Sequence, residues 1–200
     1  MDSLRYGIAF VFLLGLPPGL FFWFFIHPFA ALWRRLGLGW TYGLVGTAML
    51  MLMAGIYLVR APLLATQFGT NFFCCGLALV CLTGAGLIAF QRRKYLTLGM
   101  MIGIPELRTK DQPSVLLQEG IYARIRHPRY VEVFLAVLGF AFFSNCLVLY
   151  VWAVLSLPVL YAVVVFEERE LHARFGPAYA EYCCHVPRFI PRLHETRQGK

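Results

Sequence analysis

The hydrophobic positions of this chain fall into five runs. They cover residues 6–26, 40–59, 72–90, 131–143 and 147–166. Most of them approach the roughly 20 residues that a helix needs to cross a bilayer. The fourth run is shorter, but Pro128 suits the first position of a helix because its missing N–H costs nothing there. A helix over 128–144 would be about 25 Å long, enough for a thin or tilted span. The pattern therefore predicts five transmembrane helices, with the last two forming an antiparallel hairpin.

The composition supports this interpretation. The chain has 200 residues, of which 60% are hydrophobic and 14% charged, whereas soluble domains have about 45–50% apolar and about 25% charged residues. This excludes a soluble enzyme, a disordered chain and a small disulfide-stabilised module. We expect an all-α polytopic membrane protein with a catalytic region on its cytoplasmic face. Residues 1–90 would form a three-helix wall and residues 91–200 the catalytic region, within a single structural unit.

The positive charge is distributed unevenly between the two ends of the predicted spans. The formal net charge is +8, and 16 of the 18 Lys and Arg residues lie on the side that holds the 91–130 connection and the C-terminal region. Only Arg5 and Arg60 fall on the other side. By the positive-inside rule, the N-terminus lies outside and the C-terminus is cytoplasmic. The basic loops then face anionic lipids, and no nucleic-acid partner is expected.

Candidate chemistry is confined to the second half of the chain. All acidic residues except Asp2 follow position 100, and the candidate site is split between two stretches that flank the predicted hairpin, residues 114–132 and 167–191. The hairpin should bring Arg126 and His127 beside Glu167 and Glu168. The six Cys residues include no C-x-x-C pair, so no disulfide framework is expected. The His and Cys spacing predicts no metal site.

The first of these stretches surrounds the predicted start of a span. His127 is the expected N-cap, and a helix N-terminus favours negative charge. Arg126, His127 and the free N–H groups would hold a carboxylate or phosphate; alternatively, Arg124, Arg126 and Arg129 form a basic collar against lipid headgroups. Glu132 lies one turn into an apolar helix, where an unpaired acid is costly. It either pairs with Arg129 or faces a site.

The second stretch begins where the last span ends. The paired acids Glu167 and Glu168 need a partner there, either Arg126 or a cationic ligand. The pattern predicts helix up to Phe175, a stop at Gly176 and a short helix starting at Pro177. Residues 186–191 would follow as an extended flap.

Together these motifs resemble the isoprenylcysteine carboxyl methyltransferase family, whose relatives include the phospholipid N-methyltransferases. The likeness covers about the last 85 residues and consists of two motifs in order, separated by a hairpin. The residues that carry it are Gly120-Ile121-Tyr122, Arg126-His127-Pro128-Arg129-Tyr130, Glu167-Glu168, Leu171, Phe175-Gly176, Tyr179, Tyr182 and Val186-Pro187.

The resemblance implies an S-adenosylmethionine-dependent methyltransferase without a soluble Rossmann domain. The residues that it assigns to the cofactor pocket are Ser114, Val115, Leu116, Leu117, Tyr122, His127, Pro128, Arg129, Tyr130 and Glu167. Arg126 and Glu132 are the candidate catalytic residues, because an acid near the methyl acceptor suits an amine or thiol that must lose a proton. Prenylcysteine enzymes carry an Arg where this chain has Val163, which argues against prenylcysteine as the acceptor. The partners implied are membrane lipids and a lipophilic or small thiol, amine or carboxyl acceptor that is reached through the bilayer.

Two other classes stay open. Membrane reductases of the sterol and steroid type carry a similar Arg-His-Pro-x-Tyr motif and use NADPH. In this chain, however, the Glu that follows the motif does not lie at the position expected for those reductases. The third class is a non-enzymatic membrane protein that binds lipids or assists assembly. The acids clustered around His127 favour an enzyme over this third class.

Overall fold

A computed structural model describes residues 2–26, 29–95 and 116–192. Within these ranges the chain is helical and contains no strand, and one isolated β-bridge joins Gln67 and Cys146. The helices are α1 Asp2–Ile26, α2 Ala30–Leu36, α3 Leu38–Leu58, α4 Arg60–Leu63, α5 Phe72–Arg92, the 3-10 turn Gly120–Ala123, α6 Pro128–Ser144, α7 Leu147–Phe175 and α8 Pro177–His185. The predicted all-α membrane fold is confirmed.

Four helices, α1, α3, α5 and α7, are long and apolar enough to cross a membrane. The fifth predicted span is α6, which begins at Pro128 and ends at Ser144 as expected and has 17 residues. Large apolar side chains on these helices face outward; Leu50 and Phe72, for example, are 67% and 86% exposed. Such surfaces are stable against lipid hydrocarbon rather than water. The chain is an integral membrane protein.

The hairpin between α6 and α7 turns at Asn145, whose φ of +48° lies in the left-handed region. Its side-chain Nδ2 donates to the Gly69 carbonyl at 2.9 Å, and its own carbonyl accepts from the Phe68 amide at 3.0 Å. Arg5 at the start of α1 donates to Thr70 at 2.9 Å in the same region. These contacts bring the hairpin turn, the loop before α5 and the start of α1 to one end of the bundle.

Helices α5 and α6 pack closely because glycine lies in their contact. A Cβ atom on Gly139 would lie 2.7 Å from Leu82 Cγ and 3.3 Å from the Ala78 carbonyl oxygen. On the facing helix, a Cβ atom on Gly84 would lie 3.4 Å from Leu135 Cδ1. This seam crosses the predicted boundary at residue 90 and ties the predicted wall to the predicted catalytic region.

Helix α7 is longer than a bilayer requires. Its 29 residues correspond to about 44 Å, against a hydrocarbon core of about 30 Å. The helix stops at Gly176, which adopts a φ of +54°, and α8 begins at Pro177. Both boundaries agree with the sequence-based prediction. The end of α7 and all of α8 therefore extend the bundle at the end opposite to the hairpin turn.

Candidate functional site

A buried carboxylate, Glu168, is at the centre of the polar cluster at this end of the bundle. Its side chain is 8% exposed, and Oε1 lies 3.0 Å from Arg126 Nη1 and 3.1 Å from His127 Nε2. Arg188 Nη2 donates to Oε2 at 2.6 Å. These partners come from the segment before α6 and from the segment after α8. Buried carboxylates are stable only when paired in this way.

His127 joins both acids of the predicted pair. It is the N-cap residue of α6, and its side chain makes no capping bond. Instead, Nδ1 lies 3.6 Å from Glu167 Oε2 on the side opposite to Glu168. Burial lowers the pKa of His127, but the hydrogen bonds and negative charges of Glu167 and Glu168 outweigh burial, so this pKa is raised above its ordinary value. The predicted meeting of Arg126 and His127 with Glu167 and Glu168 is confirmed.

The segment 186–191 is held across this cluster by main-chain hydrogen bonds. The Arg126 amide donates to the Pro187 carbonyl at 2.9 Å, and the His127 amide donates to the Arg188 carbonyl at 3.0 Å. The sequence predicts a flap over 186–191 and free N–H groups at the start of α6. The flap is present, but it occupies these two amides itself.

Arg126 is shared between the carboxylate and a thiol. Its Nη1 also donates to Cys183 Sγ on α8 at 2.6 Å, while its buried Nε makes no hydrogen bond within the described residues. Nearby, the Tyr182 hydroxyl donates to the Tyr122 main-chain carbonyl at 2.6 Å. The hydroxyl of Tyr179, a residue only 1% exposed, lies near Arg126, which hydrogen-bonds to it and opposes the rise in its pKa that burial causes.

Glu132 is paired with Arg92, and not with the predicted partner Arg129. Arg92 at the end of α5 donates from Nε to Glu132 Oε2 at 2.7 Å and from Nη2 to Oε1 at 3.1 Å. The alternative that Glu132 pairs with Arg129 is therefore wrong. The Arg129 guanidinium instead stacks over the Trp23 ring at 4.3 Å. A lone acid in an apolar helix indicated that Glu132 needs a partner. Nothing in the sequence indicated that this partner is Arg92 rather than a cation closer along the chain.

The remaining predicted cofactor residues are divided between several environments. Tyr130 is buried, with its ring centroid 5.8 Å from that of His127. Leu116 packs against α8, and Leu117 packs beside the 3-10 turn that contains Tyr122. Pro128 is fully buried at the start of α6. Ser114 and Val115 lie outside the described residues.

Sequence reasoning missed three residues of this arrangement: Arg92, Cys183 and Arg188. Arg188 lies within the predicted flap, and its positive charge close to the predicted position of Glu167 and Glu168 was a usable signal. Cys183 was recognised only as one of two adjacent cysteines. The distance between each of them and its partner along the chain is at least 20 residues, so local pattern could not connect them.

A groove of about 310 Å³ opens beside the cluster, between α1, α3 and α6. Its lining is apolar except for Arg129: Gly15, Leu16, Gly19, Leu20, Phe22, Trp23, Met49, Arg129 and Val133. A Cβ atom on Gly15 or Gly19 would meet nothing within 4 Å. The Trp23 ring contacts Tyr130, with centroids 6.0 Å apart, and Tyr130 contacts His127. An aromatic path therefore connects the groove with the polar cluster.

The titratable side chains of the described ranges include no group of three or more His, Cys, Asp and Glu residues that could hold a metal ion. The cluster instead pairs the carboxylates of Glu167 and Glu168 with His127, Arg126 and Arg188.

Comparison with known proteins gives one family match and two curated relatives. The family described as phospholipid methyltransferase matches residues 73–178, just over half of the chain. The cobalt-zinc-cadmium resistance protein CzcN of Cupriavidus metallidurans is 32% identical over 80 residues, which is 40% of this chain and 37% of that protein. The nickel-cobalt-cadmium resistance protein NccN of Alcaligenes xylosoxydans xylosoxydans is 31% identical over 78 residues, 39% of this chain and 37% of that protein. The similarity thus spans little more than a third of these relatives. No solved structure matches the chain.

Proposed function

Because the chain belongs to the phospholipid methyltransferase family, we propose that it is an integral membrane methyltransferase that uses S-adenosylmethionine. The observation that carries the proposal is the buried cluster in which Arg126, His127 and Arg188 surround Glu168. The hairpin of α6 and α7 brings the segment before α6 next to the last turns of α7, where the cluster forms. The proposal orients the cluster toward the cytoplasm, as the distribution of Lys and Arg favours.

The residues of the cluster fit the chemical groups of this cofactor. S-adenosylmethionine carries a carboxylate, an ammonium and an adenosine, and when bound it supplies an electrophilic methyl group on its sulfonium. Glu167 offers a carboxylate to the cationic groups, while the buried Nε of Arg126 has hydrogen-bonding capacity that the described residues do not fill. His127, Pro128, Arg129, Tyr130 and Tyr122, with the stretch Ser114 to Leu117, complete the proposed pocket.

Catalysis in this proposal rests mainly on positioning. Methyl transfer is an in-line displacement, for which correct alignment of donor and acceptor supplies much of the acceleration. Arg126 would orient the charged groups at the site. Glu132 would accept a proton from a thiol or amine acceptor, and the two hydrogen bonds from Arg92 would fix the orientation of its carboxylate.

The apolar part of the methyl acceptor would enter from the bilayer through the groove beside Trp23. Its lining is apolar, and the aromatic contacts from Trp23 to Tyr130 to His127 lead toward the polar cluster. This supports a lipophilic acceptor, with membrane lipid as the medium that delivers it. The acceptor group itself is proposed to be a thiol, an amine or a carboxyl.

Calorimetry on the full chain in detergent tests the cofactor proposal. We expect S-adenosylhomocysteine to bind and NADPH not to bind. The Glu167→Gln variant should weaken binding at least tenfold, whereas Glu181→Gln, the same change at an exposed position of α8, should leave it within twofold. Binding of NADPH alone would favour the membrane reductase alternative. Equal effects of the two substitutions would mean that the pocket lies elsewhere.

A further inference from the structure

The apolar groove beside Trp23 follows α1 from the end of the bundle that carries the polar cluster toward the middle of the bundle. Trp23 lies near the end of α1 and Arg129 at the start of α6, and the Arg129 guanidinium stacks over the Trp23 ring at 4.3 Å. At its other end the groove is lined by Gly15 and by Met49 of α3. Gly15 precedes Trp23 by eight residues, which corresponds to about 12 Å along the helix. The groove therefore extends over most of the thickness of one leaflet, which is half of a hydrocarbon core of about 30 Å.

An aromatic contact closes the inner end of the groove between α1 and α6. The rings of Phe12 on α1 and Phe140 on α6 pack against each other with their centroids 3.8 Å apart. Phe12 lies about one turn of α1 beyond Gly15, so the two helices are in contact there. A chain that enters from the end with the polar cluster can therefore advance as far as Gly15 and no farther.

Two glycines keep the groove open along α1. Gly15 and Gly19 are four residues apart, so they lie on the same face of the helix. A Cβ atom at either position would meet nothing within 4 Å, in contrast to Gly139, where Leu82 of α5 occupies the space. Glycine inside a helix is less stable than alanine, and the packing of the described residues does not require it at these two positions. Gly15 is exposed and Gly19 is partly exposed, so the open volume beside them is accessible from the lipid.

We propose that this groove holds one hydrocarbon chain of the methyl acceptor, and that Gly15 and Gly19 determine how long this chain can be. The inference rests on the proposed methyltransferase function. The chain lies along α1 with its free end at Gly15, and the polar head of the acceptor stays beside Arg129, the one charged side chain among the described lining residues. A longer chain has to bend out into the bilayer, and a shorter one leaves part of the apolar groove without contacts. Any second chain of the acceptor remains in the bilayer.

Substitutions at the two glycines fill the groove, because an added side chain finds open space there. Gly15→Leu blocks the inner half and leaves about 6 Å of groove between residues 19 and 23, whereas Gly19→Leu blocks the groove in its middle. Gly15→Ala adds one methyl group and should have a weaker effect than Gly15→Leu. Gly7→Leu is the matched control: it is the same substitution in the same helix, a Cβ atom there also meets nothing within 4 Å, and Gly7 does not line the groove.

Photocross-linking measures the occupation of the groove without any need for catalysis. The full chain is reconstituted in phosphatidylcholine vesicles with lauric acid that carries a diazirine near its terminal carbon, and peptide mass spectrometry locates the adducts. In the wild type and Gly7→Leu, we expect adducts concentrated around Gly15 and Met49 that excess lauric acid suppresses. Gly15→Leu and Gly19→Leu should each reduce these adducts at least fivefold. Adducts spread evenly over outward-facing residues such as Phe72, with no difference between the variants, would show ordinary contact with bilayer lipid and overturn the proposal.

A second readout connects the groove with methyl transfer. Each variant is incubated with lipids extracted from the expressing cells and with S-adenosylmethionine that carries an isotope-labelled methyl group, and mass spectrometry gives the chain length of the labelled products. For Gly15→Leu we expect a shift of about four carbon atoms toward shorter chains, whereas Gly7→Leu should match the wild type. Unchanged chain lengths in Gly15→Leu would overturn the proposal. Absence of labelled product with the wild type would instead refute the methyltransferase function, and the cross-linking pattern would still decide whether the groove binds a chain.

Discussion

The ion pair between Arg92 and Glu132 gives a prediction that can be worked through from the structure. Two parallel hydrogen bonds of 2.7 and 3.1 Å join the guanidinium to the carboxylate. The side chains are 7% and 18% exposed, and they connect the end of α5 with the second turn of α6. The substitution Arg92→Met keeps most of the side-chain length, removes the charge and leaves Glu132 without this partner.

The expected cost follows from this burial. Removing one member of a buried pair typically costs about 3–5 kcal/mol, because the remaining charge is left uncompensated. Glu132 retains some exposure, so the lower end of that range, about 3 kcal/mol, applies. For a chain of this size this corresponds to a fall in Tm of about 6–12 °C. The double substitution Arg92→Met with Glu132→Met should recover most of the loss, since replacing both partners by apolar groups is often close to neutral.

Thermal unfolding in detergent, followed by intrinsic Trp fluorescence, measures these differences. Arg93→Met is the matched control, because Arg93 is exposed and its guanidinium lies over Phe90 at 3.9 Å; its Tm should change by less than about 2 °C. If Arg92→Met behaves like Arg93→Met, or if the double variant is as unstable as the single one, the pair does not stabilise the fold as argued. A proton-accepting role of Glu132 is tested separately, since Glu132→Gln should then lower kcat far more than Arg92→Met does.

Three further predictions concern the site and the helix seam. Because the pKa of His127 is raised in the folded protein, protonated His127 stabilises the fold below pH 6.5, and this stabilisation is lost as the pH rises through the raised pKa. The Tm of the wild type should therefore fall as the pH rises from 6.5 through that pKa. A His127→Gln variant that shows the same fall in Tm would contradict this explanation. Gly139→Ala should lower Tm by several degrees relative to Gly86→Ala, because an added Cβ meets Leu82 only at Gly139; equal midpoints would refute the close contact. Tyr182→Phe removes a buried hydrogen bond of 2.6 Å and should cost about 1 kcal/mol by chemical denaturation, and no measurable loss would mean that water replaces the bond.

The sequence predicts much of this fold because its boundaries depend on local chemistry. Pro128 starts α6 and Gly176 ends α7, and both effects act within one helical turn. The family resemblance found from the Arg126 to Tyr130 motif and the Glu167-Glu168 pair is confirmed by the match over residues 73–178. Hydrophobic run length identified the four longer spans, and a shorter run together with Pro128 identified the fifth, α6, which has only 17 residues.

The partners of the charged side chains were harder to predict. Topology sufficed to bring Arg126 and His127 near the acidic pair, because a hairpin returns the chain to the same end of the bundle. It did not determine that Glu168 rather than Glu167 would receive two arginines, since the two acids differ by 100° around the helix and only the packed structure selects one. The Arg92 pair depends on the rotation of α5 against α6, which is set by side chains such as Leu82 facing Gly139.

The order in which Glu168 and its partners occur along the chain has a consequence for how the protein is assembled during synthesis. Arg126 precedes α6, Glu168 lies in α7, and Arg188 follows α8, so the ribosome delivers the carboxylate before the second arginine. During that interval the inserting hairpin holds an acid that only Arg126 and His127 compensate. A released chain that is truncated before residue 188 should therefore be degraded faster than one that is truncated after residue 192, since quality-control proteases act on incompletely folded intermediates. The segment 186–191 would thus complete membrane assembly as well as the ligand site.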